Sequence, residues 1–456
     1  MNPRTTLAVF ASHMVRLALR ILRRGGTAWP GKIAIKLCPD ILRRLAKDVE
    51  TVLVTGTNGK TTSCRLLEQL YIDAGRPYFS NKSGANLIQG ITGDFAQNAT
   101  LLGRPKKRCA VIECDEGASK QVCAYLRPKV MLVTNVFGDQ LDRFGDVYTT
   151  LENIKIGVQN APEAILCLNA DDSLTASIAD EAPNKTVFYG VDTEIYKERA
   201  DEPSDASHCI RCKTRYEYDY VTYGHLGGFR CPSCGYKRRE PDVCVTGILS
   251  QGEDAQTVSL RALGEETALT INIPGGYNIY NAAGAVAAAL ALGFTLDAAK
   301  AAAANFERGF GRMEKLKLGG TTVRLILVKN PAGCNQALNY LVNAEGELLY
   351  AICLNDQTGD GTDVSWIWDV HFEQLCTLGA RLKEVFVAGA RADDMAMRLK
   401  YAGLPPDKLR IVRDYGEMFD RIKSQSAPCT IMHTYTAMME LRDKLSKDYG
   451  LKEFWM

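Results

Sequence analysis

Gly56, Gly59, Lys60 and Thr61 fall in the stretch "VTGTNGKTTS" (54–63), whose order approximates a loop that wraps phosphate. Glycines let such a loop fold tightly and turn several N–H groups inward. Those groups and the start of the following helix favour an anion. Lys60 is placed to reach the outer phosphates of a nucleotide, and the Thr61 hydroxyl to bind Mg²⁺. Gly56, Thr57, Asn58, Gly59, Lys60, Thr61 and Thr62 are the candidate phosphate-binding residues.

Two acidic groups lie downstream. Glu113, Asp115 and Glu116 stand at the end of "CAVIEC" and just after it, and Asn135, Asp139, Gln140 and Asp142 at the end of "VMLVTN" and beyond it. Either group alone would be a solvated loop. Their shared position at the carboxyl ends of strands, where parallel sheets bind ligands, makes Glu113 a candidate second Mg²⁺ ligand.

"CIRC" (209–212) and "CPSC" (231–234) form C-x2-C-x18-C-x2-C, the spacing of a zinc ribbon. Cys209, Cys212, Cys231 and Cys234 would close a tetrahedral, structural Zn²⁺ site, with Gly235 turning the chain after the second pair. Disulfides and free thiols are the alternatives. His225, Arg230, Lys237, Arg238 and Arg239 read as a modestly basic solvated face. "LNDQTGDGTDVSWIWD" (354–369) combines Asp356, Asp360, Asp363 and Asp369 with a sharp turn at Gly359 and Gly361. Trp366 and Trp368 beside it supply aromatic surface of the kind found at protein interfaces.

These residues need elements to hold them. "TVLVT" is a short buried strand, and "TTSCRLLEQLYIDAG" a helix stopping at Gly75. "CAVIEC", "VMLVTN" and "AILCLN" alternate with helical stretches, which predicts a parallel sheet flanked by helices. Residues 203–240 interrupt that pattern, and an Ala-rich helix follows "GGYNIYN". Past "GFGRMEKL" (309–316), the strands "VRLILV", "LLYAICLN", "EVFVAGA" and "LRIVRD" predict a second, Rossmann-like α/β domain. The expected boundaries are 1–48 for an N-terminal helical segment packed on the body, 49–312 for the ATP-binding domain and 313–456 for the C-terminal domain.

A chain of 456 residues exceeds a single core. Its 55 Lys and Arg against 53 Asp and Glu argue against a general nucleic-acid or membrane binder. Most of the 15 cysteines sit singly in apolar runs, as small hydrophobes in a reducing compartment. The N-terminal stretch is read as an amphipathic helix on the body, with an anionic membrane surface as the lesser alternative. No run of residues is long enough to span a membrane.

"GTNGKTT", Glu113, "TN" followed by "DQLDRFG", "LNADD" (168–172), "GYNIYNAAGA" (276–285) and "GFGRME" (309–314) occur in the order found in the Mur ligases and folylpolyglutamate synthetases. The chain resembles this family of ATP-dependent amide-forming enzymes from about residue 50 to its end. Within the family it most resembles the ligase-like subunits of glutamine-hydrolysing lipid II isoglutaminyl synthases. The four-cysteine insertion and the 354–369 loop carry that likeness.

The resemblance implies amidation of the D-glutamate α-carboxyl of the lipid II stem peptide, through an acyl phosphate, at the cytoplasmic face of the membrane. ATP, Mg²⁺ and Zn²⁺ are the implied cofactors. Lipid II is the implied substrate, with membrane contact at most through it, and no nucleic acid is involved. A separate class-I glutaminase in a heterodimer would supply ammonia. Asn281 resembles the adenine contact, Arg312 the phosphate contact at the hinge, and Lys60 and Glu113 catalytic residues. Asp363 resembles the acid that completes the partner's triad, with Asp356 and Asp360 as alternates. Gln140 replaces a usual metal-binding His. Lys155 reads as a plain surface lysine, and Lys329 stands where the family carries an acid, which suits an altered acceptor. The rival readings are a ligase adding an amino acid to a UDP-sugar peptide or to folate, and a zinc-ribbon ATPase binding nucleic acid.

Overall fold

The computed structural model describes residues 3–22, 26–81, 84–138, 147–195, 205–307 and 312–450. Three helices open the chain: α1 (Pro3–Ile21), α2 (Trp29–Leu37) and α3 (Ile41–Ala46). Then β1 (Glu50–Thr55), α4 (Lys60–Asp73), β2 (Tyr78–Ser80), α5 (Ile88–Asn98), β3 (Cys109–Glu113), α6 (Ser119–Tyr125), β4 (Val130–Val133), β5 (Ile165–Asn169) and β6 (Thr186–Val191) build a layered α/β body. β7 (Glu217–Tyr223) and β8 (Leu226–Arg230) form a separate hairpin inside the insertion. The first sheet is completed by β9 (Val243–Gln251), β10 (Gln256–Ala262) and β11 (Glu265–Ile271), in the order β11-β10-β9-β6-β5-β4-β1-β3-β2.

β1 shows how the body divides. Successive side chains of a strand point to opposite faces. Val52 and Val54 therefore enter one core, with α4 and the helix Tyr277–Leu292, while Leu53 enters the other, with α1, α3 and α5. With both faces covered, the strand is an unbroken apolar run. The Ala-rich helix is buried almost all round, because small side chains let it lie close to the sheet. At Gly284 a methyl would press within 3.0 Å of the Tyr189 ring.

The parallel expectation needs correcting at one edge. β10 pairs antiparallel with both β9 and β11, so the sheet ends in a meander. The alternating burial of β10 fits an antiparallel strand with one wet face.

The second sheet runs β12-β13-β17-β14-β15-β16, from β12 (Arg312–Leu318), β13 (Thr321–Leu327), β14 (Leu348–Cys353), β15 (Leu382–Ala388), β16 (Leu409–Ile411) and β17 (Cys429–His433). All its pairings are parallel except β12 with β13. Sequence reading identified β13 to β16 and missed β12, which it read as part of the junction, and β17. "CTIMH", five residues that include the β-branched Thr430 and Ile431, pairs with both β13 and β14 in mid-sheet. Among the described residues no helix is long and apolar enough to cross a membrane.

Candidate active site and metal centre

β1 ends at Thr55, and the chain turns through Gly56–Gly59 into α4. Both glycines are required by geometry. Gly56 has φ of +114° and Gly59 of +87°, and a methyl on them would strike Thr134 Oγ1 and Asn281 Oδ1 respectively. The end of β4 pins the loop. Thr57 N–H donates to Asn135 O at 2.8 Å, Asn58 N–H to Asn135 Oδ1 at 2.9 Å, and Phe137 N–H to Thr57 Oγ1 at 3.0 Å. Gly59→Ala is expected to weaken nucleotide binding about 5- to 150-fold, since strain and clash together cost roughly 1–3 kcal/mol. Calorimetric titration with ATP reads the loss, and parental affinity would show that the loop tolerates the methyl.

Lys60 is buried, and its Nζ donates to Gly56 O (2.5 Å), Thr57 O (3.2 Å) and Glu116 Oε2 (2.8 Å). Burial opposes its charge, but Glu116 and Glu113 outweigh burial and hold the ammonium above the usual lysine range. Burial likewise pushes the Glu116 carboxyl up, while Lys60 and then Lys329 bring it below its ordinary value. Asp115 is raised, by burial first and by Glu116 second. The cation is thus stored on a carboxylate next to the loop it serves.

Thr61 Oγ1 donates to Glu113 Oε2 at 2.6 Å. Asn81 clamps the Glu113 backbone from both sides, accepting its N–H at 2.9 Å and donating to its C=O at 2.7 Å. A hydroxyl and a carboxylate side by side at adjacent strand ends are oxygen ligands of the kind Mg²⁺ takes. Thr62 is buried in the first turn of α4.

A cleft opens between this loop, the helix Tyr277–Leu292 and the helix Pro331–Val342 beyond β13. Asn281 abuts Gly59 and donates to Asn278 Oδ1 at 3.0 Å. Asn330 caps the third element by accepting from Gly333 N–H at 2.8 Å, and its Nδ2 donates to Asn58 Oδ1 at 3.0 Å, joining the two sheets' territories. Gln336 lines the cleft with both amide atoms buried and unpartnered among the described residues, as is Asn58 Nδ2. A polar ligand would satisfy these groups, so the donor set fits a nucleotide. Arg312 opens β12, but its side chain lies outside the described residues, as do Asp139, Gln140 and Asp142. Lys155 pairs with Glu181 at 2.7 Å and is largely covered, rather than a plain surface lysine.

The four insertion cysteines converge. Their sulfurs all lie within 4.8 Å of one another, with Cys209–Cys234 at 3.6 Å and Cys212–Cys231 at 3.4 Å. All are free thiols. Sulfurs about 2.3 Å from a tetrahedral ion stand roughly 3.7 Å apart, so the cluster could hold a metal ion. The two turns repeat each other: Cys209 and Cys231 N–H donate to Thr214 and Tyr236 O at 2.7 Å, and Lys213 and Gly235 take φ of +63° and +74°. The local core is only two cysteines and three aromatics, Tyr216, Phe229 and Tyr236.

The insertion is anchored on the "LNADD" segment. Asp171 accepts from Arg238 Nε at 2.6 Å and from Tyr280 OH at 2.6 Å. Asp172 caps the helix Ser173–Glu181, accepts from Val136 N–H at 2.8 Å, and meets His225 Nε2 at 3.1 Å. Burial raises the Asp172 carboxyl, but His225 and these donors outweigh it and hold it below the usual range. The sequence reading therefore misplaced His225 and Arg238. His225 is fully buried against Phe137, and Arg238 is an inward tie rather than part of a basic face. Arg211 and Arg239 both pair with Asp180, and Arg230 with Glu217.

In the C-terminal loop the three acids separate. Asp360 is buried, accepting from Thr436 N–H at 2.7 Å and from the Thr436 hydroxyl. Asp356 pairs with Arg391 at 3.1 Å. Asp363 is exposed, and its Oδ1 accepts from Ser365 N–H at 2.8 Å at the start of the turn Ser365–Asp369. That bond lowers its carboxyl pKa. Trp368 stands half-exposed on Tyr401, their ring centroids 5.7 Å apart, with Met397 also exposed.

Glu116, Asn81, Asn330 and Gln336 were not singled out for these places. Only the "DE" after β3 hinted at Glu116.

Residues 54–289 match the family model described as the Mur ligase middle domain, and residues 327–438 that described as MurT ligase C-terminal. The chain is 34% identical over 454 residues, 98% of each chain, to the lipid II isoglutaminyl synthase (glutamine-hydrolyzing) subunit MurT of Streptococcus pneumoniae. It is 31% identical to the subunit of the same name from Staphylococcus aureus, over 97% of this chain and 98% of that one. Among solved structures, MurF from Acinetobacter baumannii shares the fold, with a TM-score of 0.66 at 17% identity over 90% of this chain and 80% of that one.

Proposed function

Since the chain belongs to the Mur ligase family, and within it to the MurT proteins, we propose that it is the ATP-dependent ligase subunit of a glutamine-hydrolysing lipid II isoglutaminyl synthase. The carrying observation is the closed set around the loop: Lys60 held by Glu116, Thr61 by Glu113, and the cleft behind them reaching Asn281 and Gln336.

In this reading ATP sits along the loop, its phosphates against the N–H groups of residues 56–61 and its base in the cleft beside Asn281. Lys60 leaves Glu116 for the outer phosphates, meeting the negative charge that spreads as the γ-phosphoryl group passes to the substrate carboxylate. Mg²⁺, held by Thr61 and Glu113, would neutralise phosphate oxygens. Arg312 is the further proposed phosphate contact. Ammonia attacks the resulting acyl phosphate, the C–N bond forms, and phosphate leaves. Lys329, close enough to influence Asp115 and Glu116, adds positive charge near the phosphates where an acidic, amine-orienting residue is absent.

Ammonia at neutral pH is mostly ammonium, so a glutaminase subunit docked on the second sheet is the proposed source. Exposed Asp363, with the exposed Trp368–Tyr401 pair and Met397 on the same domain, is the proposed contact. The test is incubation of the purified chain with lipid II, ATP, Mg²⁺ and ammonium, reading acid-to-amide conversion by mass spectrometry. Amidation requiring ATP supports the reading. Ligation of an amino acid, or ATP hydrolysis stimulated only by nucleic acid, would replace it.

The four cysteines are proposed to hold one structural Zn²⁺, because a core of three aromatics is too small to order the insertion alone. Protein purified without chelator is expected to carry one zinc per chain. Cys212→Ser is expected to lose it and to lower Tm by about 5 °C or more, with a smaller effect on ammonia-driven amidation at low temperature. Elemental analysis finding no zinc would remove the assignment.

A further inference from the structure

α1 is amphipathic the wrong way round for a helix that only packs on a core. Its buried residues are the small Ala8, Val9 and Ser12. Its large apolar side chains, Leu7, Phe10, Met14, Leu17 and Ile21, are 47–74% exposed and recur at steps of three and four. That spacing puts them on one stripe, on the side of the helix away from the buried residues. At 19 residues α1 is about 29 Å long, and the stripe runs most of that length.

Other large apolar side chains are exposed near the two ends of α1. Trp29 is 54% exposed and stands by the end of α1, where a methyl on Gly26 would lie 3.0 Å from its ring and 3.6 Å from Leu19. At the other end, the turn Thr100–Arg104 presses on the first turn of α1, a methyl on Gly103 lying 3.2 Å from Thr5. That turn exposes Leu101 and Leu102 at 47% and 52%, and Arg104, Lys106, Lys107 and Arg108 that follow are exposed as well.

Charge says what covers this face. Before Asp40 the chain holds Arg4, Arg16, Arg20, Arg23, Arg24, Lys32 and Lys36 and no acidic residue, although charge over the whole chain is near balance at +2. Arg20, Lys32 and Lys36 are exposed; Arg16 pairs with Asp94 at 3.5 Å, and Arg44 takes Asp40 at 2.8 Å. An apolar stripe with basic groups around it and an aromatic at one end suits an anionic lipid surface, with the helix lying in the interface plane.

We propose that the outward stripe of α1 docks the protein directly onto an anionic bilayer. This contact is made by the chain itself, not through its substrate. It does not rest on the amidation reading, because lipid binding is measured with neither nucleotide nor substrate present.

The test is co-sedimentation of the full chain with sucrose-loaded vesicles of phosphatidylglycerol and phosphatidylcholine, against phosphatidylcholine alone. Parental protein is expected to sediment with the anionic vesicles and to be released by high salt. Phe10→Glu with Leu17→Glu is expected to weaken binding about tenfold or more, with an unchanged melting curve because both side chains face water. Leu249→Glu, at an exposed position of β9, is the control expected to bind normally. Failure of parental protein to sediment, or equal sedimentation of the double variant, overturns the proposal. So does a lipid-independent dimer, or a complex with a glutaminase subunit, that the double variant abolishes, since the stripe would then be a protein interface.

Discussion

Lys60→Ala is expected to reduce ATP-dependent amidation by about 10³-fold or more, whether ammonia comes from glutamine or from added ammonium. The substitution removes the one buried ammonium at the phosphate loop, and Glu116, which it neutralised, stays inside. Breaking a buried pair this way costs about 3–5 kcal/mol, reduced here by the nearby charge of Lys329. Activity and folding therefore need separate readouts.

The pH dependence of stability distinguishes them. In the parent, the Glu116 pKa is below its ordinary 4.5, so its contribution is present above that value and lost as pH falls through the folded pKa. In Lys60→Ala burial dominates and the folded pKa moves above the ordinary value. Stability is then present at low pH and lost as pH rises through it. Urea midpoints between about pH 4 and pH 8 should fall with rising pH in the variant only. Parental amidation by a folded variant would contradict the role of Lys60. Activity loss in the variant with a pH-independent midpoint would contradict the buried Glu116 pairing.

Asp363→Asn is expected to cut glutamine hydrolysis by the assembled complex about 10³- to 10⁴-fold while sparing amidation from added ammonium. The substitution keeps size and the bond from Ser365 N–H but removes the charge. A glutaminase cysteine is activated by a histidine, and that histidine needs a carboxylate to fix its tautomer and stabilise its positive form. In the proposed role Asp363 acts in trans: it is exposed and its carboxyl is held below the usual range, and five residues on the exposed Trp368 rests on the exposed Tyr401. Asp360→Asn is the contrast. Its carboxylate is committed to Thr436, so it should lower Tm rather than glutamine hydrolysis alone. Glutamine hydrolysis at the parental rate in Asp363→Asn would pass the role to Asp356. Failure with ammonium as well would place Asp363 in the ligase site.

Short-range spacing by itself determined the phosphate loop and the cysteine turns. Gly56 and Gly59 are demanded by the φ of a tight strand-to-helix turn, and C-x2-C by the reach of two thiolates around one ion, so a few consecutive residues suffice. The α/β layering was equally legible, because strands buried on both faces are unbroken apolar runs.

Tertiary structure alone decided which distant groups meet. Glu116 stores Lys60 across 56 positions, Asn330 reaches Asn58 across 272, and His225 turns from an expected basic face to Asp172. β17 is a five-residue run too short to be read on its own, and pairing on both sides places it in mid-sheet. Asp360 and Asp363 look alike three residues apart, yet one is buried by Thr436 and the other left in water. The amphipathic pattern of α1 is legible in sequence, but not which face the body takes. Packing settled that by choosing Ala8, Val9 and Ser12, whose small side chains let the helix approach, and leaving Phe10 and Leu17 outside.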